Sequence, residues 1–189
     1  MKKLIVFVTC QRTGSSISAS LFYHHGMSLG PFALFQGGPN RPHGVCEAMP
    51  VFRLNRTLHR IVYGFEEDGI EYGRAGKIMK ERNEITLDVG TLPPGLIDHG
   101  IETIRFLTSG VPIAGFKHPA TVLFWPYWQH VFSRFPELEV IPVFLLRPPT
   151  GIAASYARRA RRPEFQNEMF LIIPDFGAAF FWPFRILEG

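Results

Sequence analysis

Three short, unbroken apolar runs constrain this chain more than any other feature. Leu4 to Thr9, Pro112 to Phe116 and Val140 to Leu146 are filled with β-branched and aromatic residues and show no polar alternation. A strand with one wet face alternates, so a run without alternation reads as a strand covered on both faces. Helical stretches separate the runs: Ile17 to His25, stopped by Gly26, then Val51 to Val62, Leu96 to Thr108, Ala120 to Phe135 and Thr150 to Arg161. Pro126 should kink or split the fourth of these. Buried strands alternating with helices predict an α/β fold, a three-layer α/β/α arrangement with a central parallel sheet. Residues 30–44 are too rich in Gly and Pro for regular structure. Residues 66–95 read as a surface excursion, with a short helix near Arg74 to Glu84.

A chain of 189 residues suggests one domain with room for a sizeable core. It is 46% hydrophobic and 19% charged, against roughly 25% charged in average proteins, which excludes a disordered chain or a coiled coil. The net charge of +4 is a weak signal for nucleic acid, and no nucleic-acid partner is expected. Of the 20 basic residues, 15 are arginine, whose rigid fork suits phosphate and sulfate oxygens. Two cysteines, Cys10 and Cys46, imply no disulfide framework and fit a reducing cytoplasm. The apolar run after Lys2 and Lys3 is shorter than the roughly 7–15 residues of a signal peptide. No stretch reaches the roughly 18–20 apolar residues of a membrane span. A cytoplasmic protein with no transmembrane span is therefore expected.

Two segments carry chemistry. In the first, a buried strand runs into Gln11-Arg12-Thr13-Gly14-Ser15-Ser16 and then a helix, so N–H groups and the helix dipole face whatever sits at the loop. Gly14 permits a tight turn, Ser15 or Ser16 can cap the helix, and Arg12 adds charge. The magnesium–nucleotide pattern G-x-x-x-x-G-K-[ST] is absent. An ordinary capped turn with a surface arginine explains the segment equally well. In the second, Arg147 ends a strand and Ser155 lies in the following helix; strand ends on one edge of a parallel sheet are where ligands bind. Here too a plain reading stands, with Arg147 paired to an acidic neighbour.

Taken together, the segments resemble the sulfotransferase family, specifically its small bacterial branch. The first loop is similar to that branch's H-R-S-G-T-S. Arg147-Pro148-Pro149 followed by Ser155 resembles R-x-P with a serine eight positions on. Asn40-Arg41-Pro42-His43-Gly44-Val45-Cys46-Glu47, then Leu54-Asn55, resembles N-P-x-G-x-x-E, and Gly115-Phe116-Lys117-His118-Pro119 with Trp128 resembles G-x-K-D-P. The resemblance covers residue 3 to about residue 162.

The resemblance implies a P-loop-like nucleoside triphosphate hydrolase fold and transfer of a sulfuryl group from 3′-phosphoadenosine 5′-phosphosulfate, bound without a metal, to a hydroxyl or amine. It implies that Arg12, the amides of Thr13, Gly14, Ser15 and Ser16, and the two serine hydroxyls hold the 5′-phosphosulfate. Arg147 and Ser155 would hold the 3′-phosphate. Glu47 is the first candidate for general base, with a structural salt bridge to an arginine as the alternative. His118 is the second, standing where the branch has Asp. Lys117 would contact the sulfuryl oxygens or pin its turn. The acceptor is a small molecule, glycan or lipid. The run Arg158, Arg159, Arg161, Arg162 reads mainly as a solvated helix end.

The pattern departs from the family after residue 162. Further helices and a late glycine- and lysine-containing loop are expected there, but Pro163 to Gly189 is apolar and carries six of the 18 phenylalanines. The expected organisation is therefore a sulfotransferase-like domain over residues 1–162 and a divergent segment over 163–189, packing on or extending it, as in a shortened or frame-shifted gene. Two alternatives to the enzyme follow: a non-catalytic remnant, and a P-loop-like nucleotide or small-molecule kinase.

Overall fold

The three apolar runs pair with one another. In the computed structural model, which describes residues 1–34, 46–63 and 87–160, β1 (Lys2–Thr9), β4 (Ile113–Lys117) and β5 (Leu138–Leu145) form a parallel sheet in the order β4-β1-β5. The register sets Phe7 opposite Lys117 on one side and Val143 on the other. Ser28 adds a short parallel bridge to Ala114 on the outer side of β4. A second, two-stranded ribbon joins β2 (Ala33–Leu34) antiparallel to β3 (Glu47–Ala48). The ribbon corrects the expectation that residues 30–44 lack regular structure: Ala33 and Leu34 find a partner strand only through the distant Glu47 and Ala48. The Asn40 to Val45 part of its motif, the helix near Arg74 to Glu84, and Pro163 to Gly189 lie outside the described residues.

Two units divide the chain. The first, Met1–Asn55 with Asp88–Leu146, contains the sheet. Alternation along β1 sends Ile5 and Phe7 to one face, where Ala19 of α1 (Ser15–His24), Met27, Leu29 and Cys46 join them in the core. Phe22 of α1 meets the Phe7 ring edge-on at 5.3 Å. Val6 and its register partner Phe116 take the opposite face, where Phe116 packs on Trp128 at 5.0 Å. Trp128 belongs to α4 (Trp125–Phe132). The unit is thus α/β, with a three-stranded parallel sheet flanked by helices on its two faces.

Local chemistry explains the boundaries. α1 stops at Gly26, whose φ of 97° suits only glycine comfortably. Gly26 N–H donates to the Tyr23 carbonyl and Met27 N–H to that of Phe22, which satisfies two carbonyls at the helix end. α3 (Pro94–Thr108) starts on a proline at its first position, where a missing N–H costs nothing. The Ala120 to Phe135 stretch is split, as Pro126 required. A 3₁₀ turn covers Pro119–Val122, and α4 then begins with Pro126 in its first turn. Tyr127, fully buried, donates its hydroxyl to the Leu96 carbonyl at 2.7 Å and so ties α4 to α3.

Gly115 has a packing reason to be glycine. A Cβ there would overlap the Met27 sulfur and sit 2.9 Å from the Ile5 carbonyl oxygen, which is part of the sheet backbone. Gly115→Ala is expected to cost about 1–3 kcal/mol by overpacking. Denaturant midpoints would check this, and an unchanged midpoint would refute it.

The second unit takes Arg56–Leu87 and Arg147–Gly189. Its described parts are the last eight residues of α2 (Met49–Tyr63) and α5 (Pro149–Ala160). Leu58, His59, Ile152 and Ser155 are buried.

Candidate functional site

The carboxyl ends of β1 and β4 share one rim, because the parallel register aligns Phe7 with Lys117. Beyond β1, Thr9 is buried and its hydroxyl bonds that of Thr13. The Thr13 hydroxyl also reaches the Cys10 carbonyl at 3.0 Å. These bonds fold the loop back on the strand end. Arg12 sits at φ 65°, a left-handed conformation that costs a side-chain-bearing residue about 1–2 kcal/mol. Gly14, at φ 94°, is the residue preceding α1 and provides no side-chain cap.

Ser15 and Ser16 therefore do not cap α1. They are its first two residues, because the glycine's left-handed turn starts the helix one position earlier. Ser15 is buried and Ser16 is half-buried. The first-turn N–H groups of α1, beyond the reach of any intrahelical carbonyl, are an ordinary anion-binding device.

At the end of β4 the β2–β3 ribbon delivers Glu47. Its Oε1 lies 2.6 Å from Lys117 Nζ, and both side chains are buried. The two residues are 70 positions apart in sequence. A charge-assisted contact this short, held out of water, is what lets two ions remain in a protein interior. Cys46, also at positive φ, lies beside them. Burial pushes its thiol up, opposed by a hydrogen bond with Ser20 of α1 and by the Lys117 ammonium. Burial likewise raises the Cys10 thiol. Neither cysteine is in a disulfide.

His118 follows Lys117 and is buried. Its Nδ1 accepts the Ala120 N–H at 3.2 Å, which puts the proton of the neutral ring on Nε2. Phe52 of α2 meets the imidazole edge-on at 5.4 Å.

The first unit thus contains Arg12 to Ser16, Glu47, Lys117 and His118. Arg147 and Ser155 belong to the second unit. There Ser155 is buried, and the Arg147 side chain lies against the first turn of α5, since a Cβ on Gly151 would come within 2.9 Å of its Nε. Sequence reasoning missed Thr9 as a loop anchor, although a lone hydroxyl ending an apolar strand is a readable sign. It quoted Cys46 and Asn55 inside motifs without giving them a role.

No family model, curated protein or solved structure matches the chain. Among the described residues no helix is long and apolar enough to cross a membrane, and no group of three or more His, Cys, Asp or Glu could hold a metal ion.

Proposed function

We propose that this chain is a cytoplasmic sulfotransferase of the P-loop-like type, moving a sulfuryl group from 3′-phosphoadenosine 5′-phosphosulfate to a hydroxyl or amine of a small-molecule, glycan or lipid acceptor. The observation that carries this reading is the buried Glu47–Lys117 pair on the same sheet rim as the glycine-started β1–α1 loop. An anion site and a paired acid and base on one rim are what in-line transfer of an anionic group requires. The strand order, with β1 between two later parallel strands, also supports it, because ligands bind at such switch points.

In this reading the acceptor oxygen or nitrogen attacks sulfur as the bridging S–O bond breaks. The bond's electron pair passes to the phosphate oxygen, beside Arg12. The acceptor's proton passes to the Glu47 carboxylate. Lys117 offers its ammonium to the sulfuryl oxygens, and the helix-end amides of Thr13 to Ser16 hold the phosphate. Positioning and charge stabilisation supply most of the rate in such loose displacements. Glu47 is preferred over His118 as the base. The His118 ring already uses Nδ1 as an acceptor and presents N–H at Nε2.

Calorimetric titration with adenosine 3′,5′-bisphosphate in the absence of magnesium tests the reading; binding is expected. Failure to bind it, alongside magnesium-dependent ATP binding, would leave the kinase reading in its place. Arg147→Ala is expected to weaken the bisphosphate by about tenfold or more, the worth of a lost charged hydrogen bond, and the 5′-monophosphate far less. Equal losses would remove Arg147 from the 3′-phosphate site.

A further inference from the structure

Asn55 is fully buried on α2, yet a primary amide is costly to bury unless both its ends are paired. Its Oδ1 accepts the Trp128 indole N–H at 3.0 Å. An indole can only donate, so this contact fixes which way the amide points. Nδ2 then faces the Thr121 hydroxyl, a longer bond of 3.4 Å. Thr121 is itself fully buried, and its N–H donates to the His118 carbonyl at 3.0 Å. The Trp128 ring packs on Phe116, the residue before Lys117. One helical turn before Asn55, Phe52 presses on the His118 ring.

Three ties therefore run from the first half of α2 to the Phe116-Lys117-His118 segment: through Trp128, through Thr121 and through Phe52. Glu47 leaves β3 for that same helix only two residues before α2 begins. The segment carrying the carboxylate and the segment carrying the ammonium are thus joined at Asn55.

We infer that Asn55 is a positioning residue, which locks α2 to the Lys117–His118 turn and so holds Glu47 and Lys117 together as a closed pair. Its catalytic consequence rests on the sulfotransferase reading above; the positioning itself does not. Neither carboxylate nor ammonium touches Asn55 in this scheme, and its effect passes through the two segments it joins.

The test separates positioning from mere stability. Asn55→Leu alone leaves the Trp128 N–H and the Thr121 hydroxyl without the amide and will destabilise the fold. Asn55→Leu with Trp128→Phe replaces both ends of the strongest bond by apolar groups, which can be nearly neutral for stability. Acetic anhydride labelling of Lys117 in the full chain, followed by peptide mass spectrometry, reads how tightly the pair is closed. The double variant is expected to melt near the wild-type temperature yet label Lys117 about tenfold faster, the size of a typical coupling between neighbours. Thr121→Val should label faster as well, and Thr121→Ser, which keeps the hydroxyl, should not. Unchanged labelling in the folded double variant and in Thr121→Val would overturn the inference. Bisphosphate titration of the wild type is independent of all this. If it fails while the labelling behaves as expected, the positioning role stands and the sulfotransferase reading falls.

Discussion

Lys117→Met is expected to lower the stability of the fold by about 3–5 kcal/mol, the usual penalty for breaking a buried ion pair from one side. The variant keeps most of the side-chain volume but leaves the Glu47 carboxylate buried without its ammonium, which stood at 2.6 Å. The loss comes from desolvation more than from the attraction forgone, since the favourable Coulomb energy of a buried pair largely offsets the cost of taking both ions from water. Lys117→Met combined with Glu47→Leu should accordingly recover most of the stability, because an apolar pair of similar volume carries no such cost. Chemical denaturation of the three proteins checks the pattern. A single variant as stable as the wild type would show that the pair is not closed in solution. The recovered double variant should still transfer no sulfuryl group, because it lacks both the base and the sulfuryl-binding cation. Stability and chemistry part company at this pair.

Arg12→Gly should show the opposite split, with transfer reduced about 10²–10³-fold, the scale of losing a transition-state donor, and the fold little changed. The reason is conformational. Arg12 adopts φ 65°, where a side chain costs about 1–2 kcal/mol, and glycine relieves that strain while losing about 0.5–1 kcal/mol in backbone entropy. The two terms nearly cancel. Melting temperature and bisphosphate affinity, measured together, decide the matter. A large drop in melting temperature would mean that Arg12 serves the fold through its own contacts, and unimpaired transfer would remove it from the site.

Much of the scaffold was legible in the chain. Strands expected at Leu4 to Thr9, Pro112 to Phe116 and Val140 to Leu146 occur at Lys2–Thr9, Ile113–Lys117 and Leu138–Leu145. The helices shift by only a few residues, and Gly26 and Pro126 punctuate where expected. The errors have a common origin. A cap at Ser15 or Ser16 was expected because serine is a good cap, but Gly14 had already turned the backbone. The β2–β3 ribbon was unreadable because a two-residue strand has no periodicity to detect, and its partner lies across the intervening residues 35–46. Ser28 joins the sheet through a single bridge, again too short to leave a pattern.

The amino-acid sequence by itself determined the layers. Each buried run, proline and glycine acts through its own residue and its immediate neighbours, so its effect is written locally. It also marked Glu47, Lys117 and His118 as chemically interesting. Only the tertiary structure decided that Glu47 and Lys117 face each other and that Asn55 stands between Trp128 and Thr121. A carboxylate can pair with any of 20 basic residues in this chain. Which one it meets depends on how β4 lines up beside β1 and on where the ribbon leaves the sheet. Partners 70 residues apart are chosen by the packing of whole elements, and no local pattern records that choice.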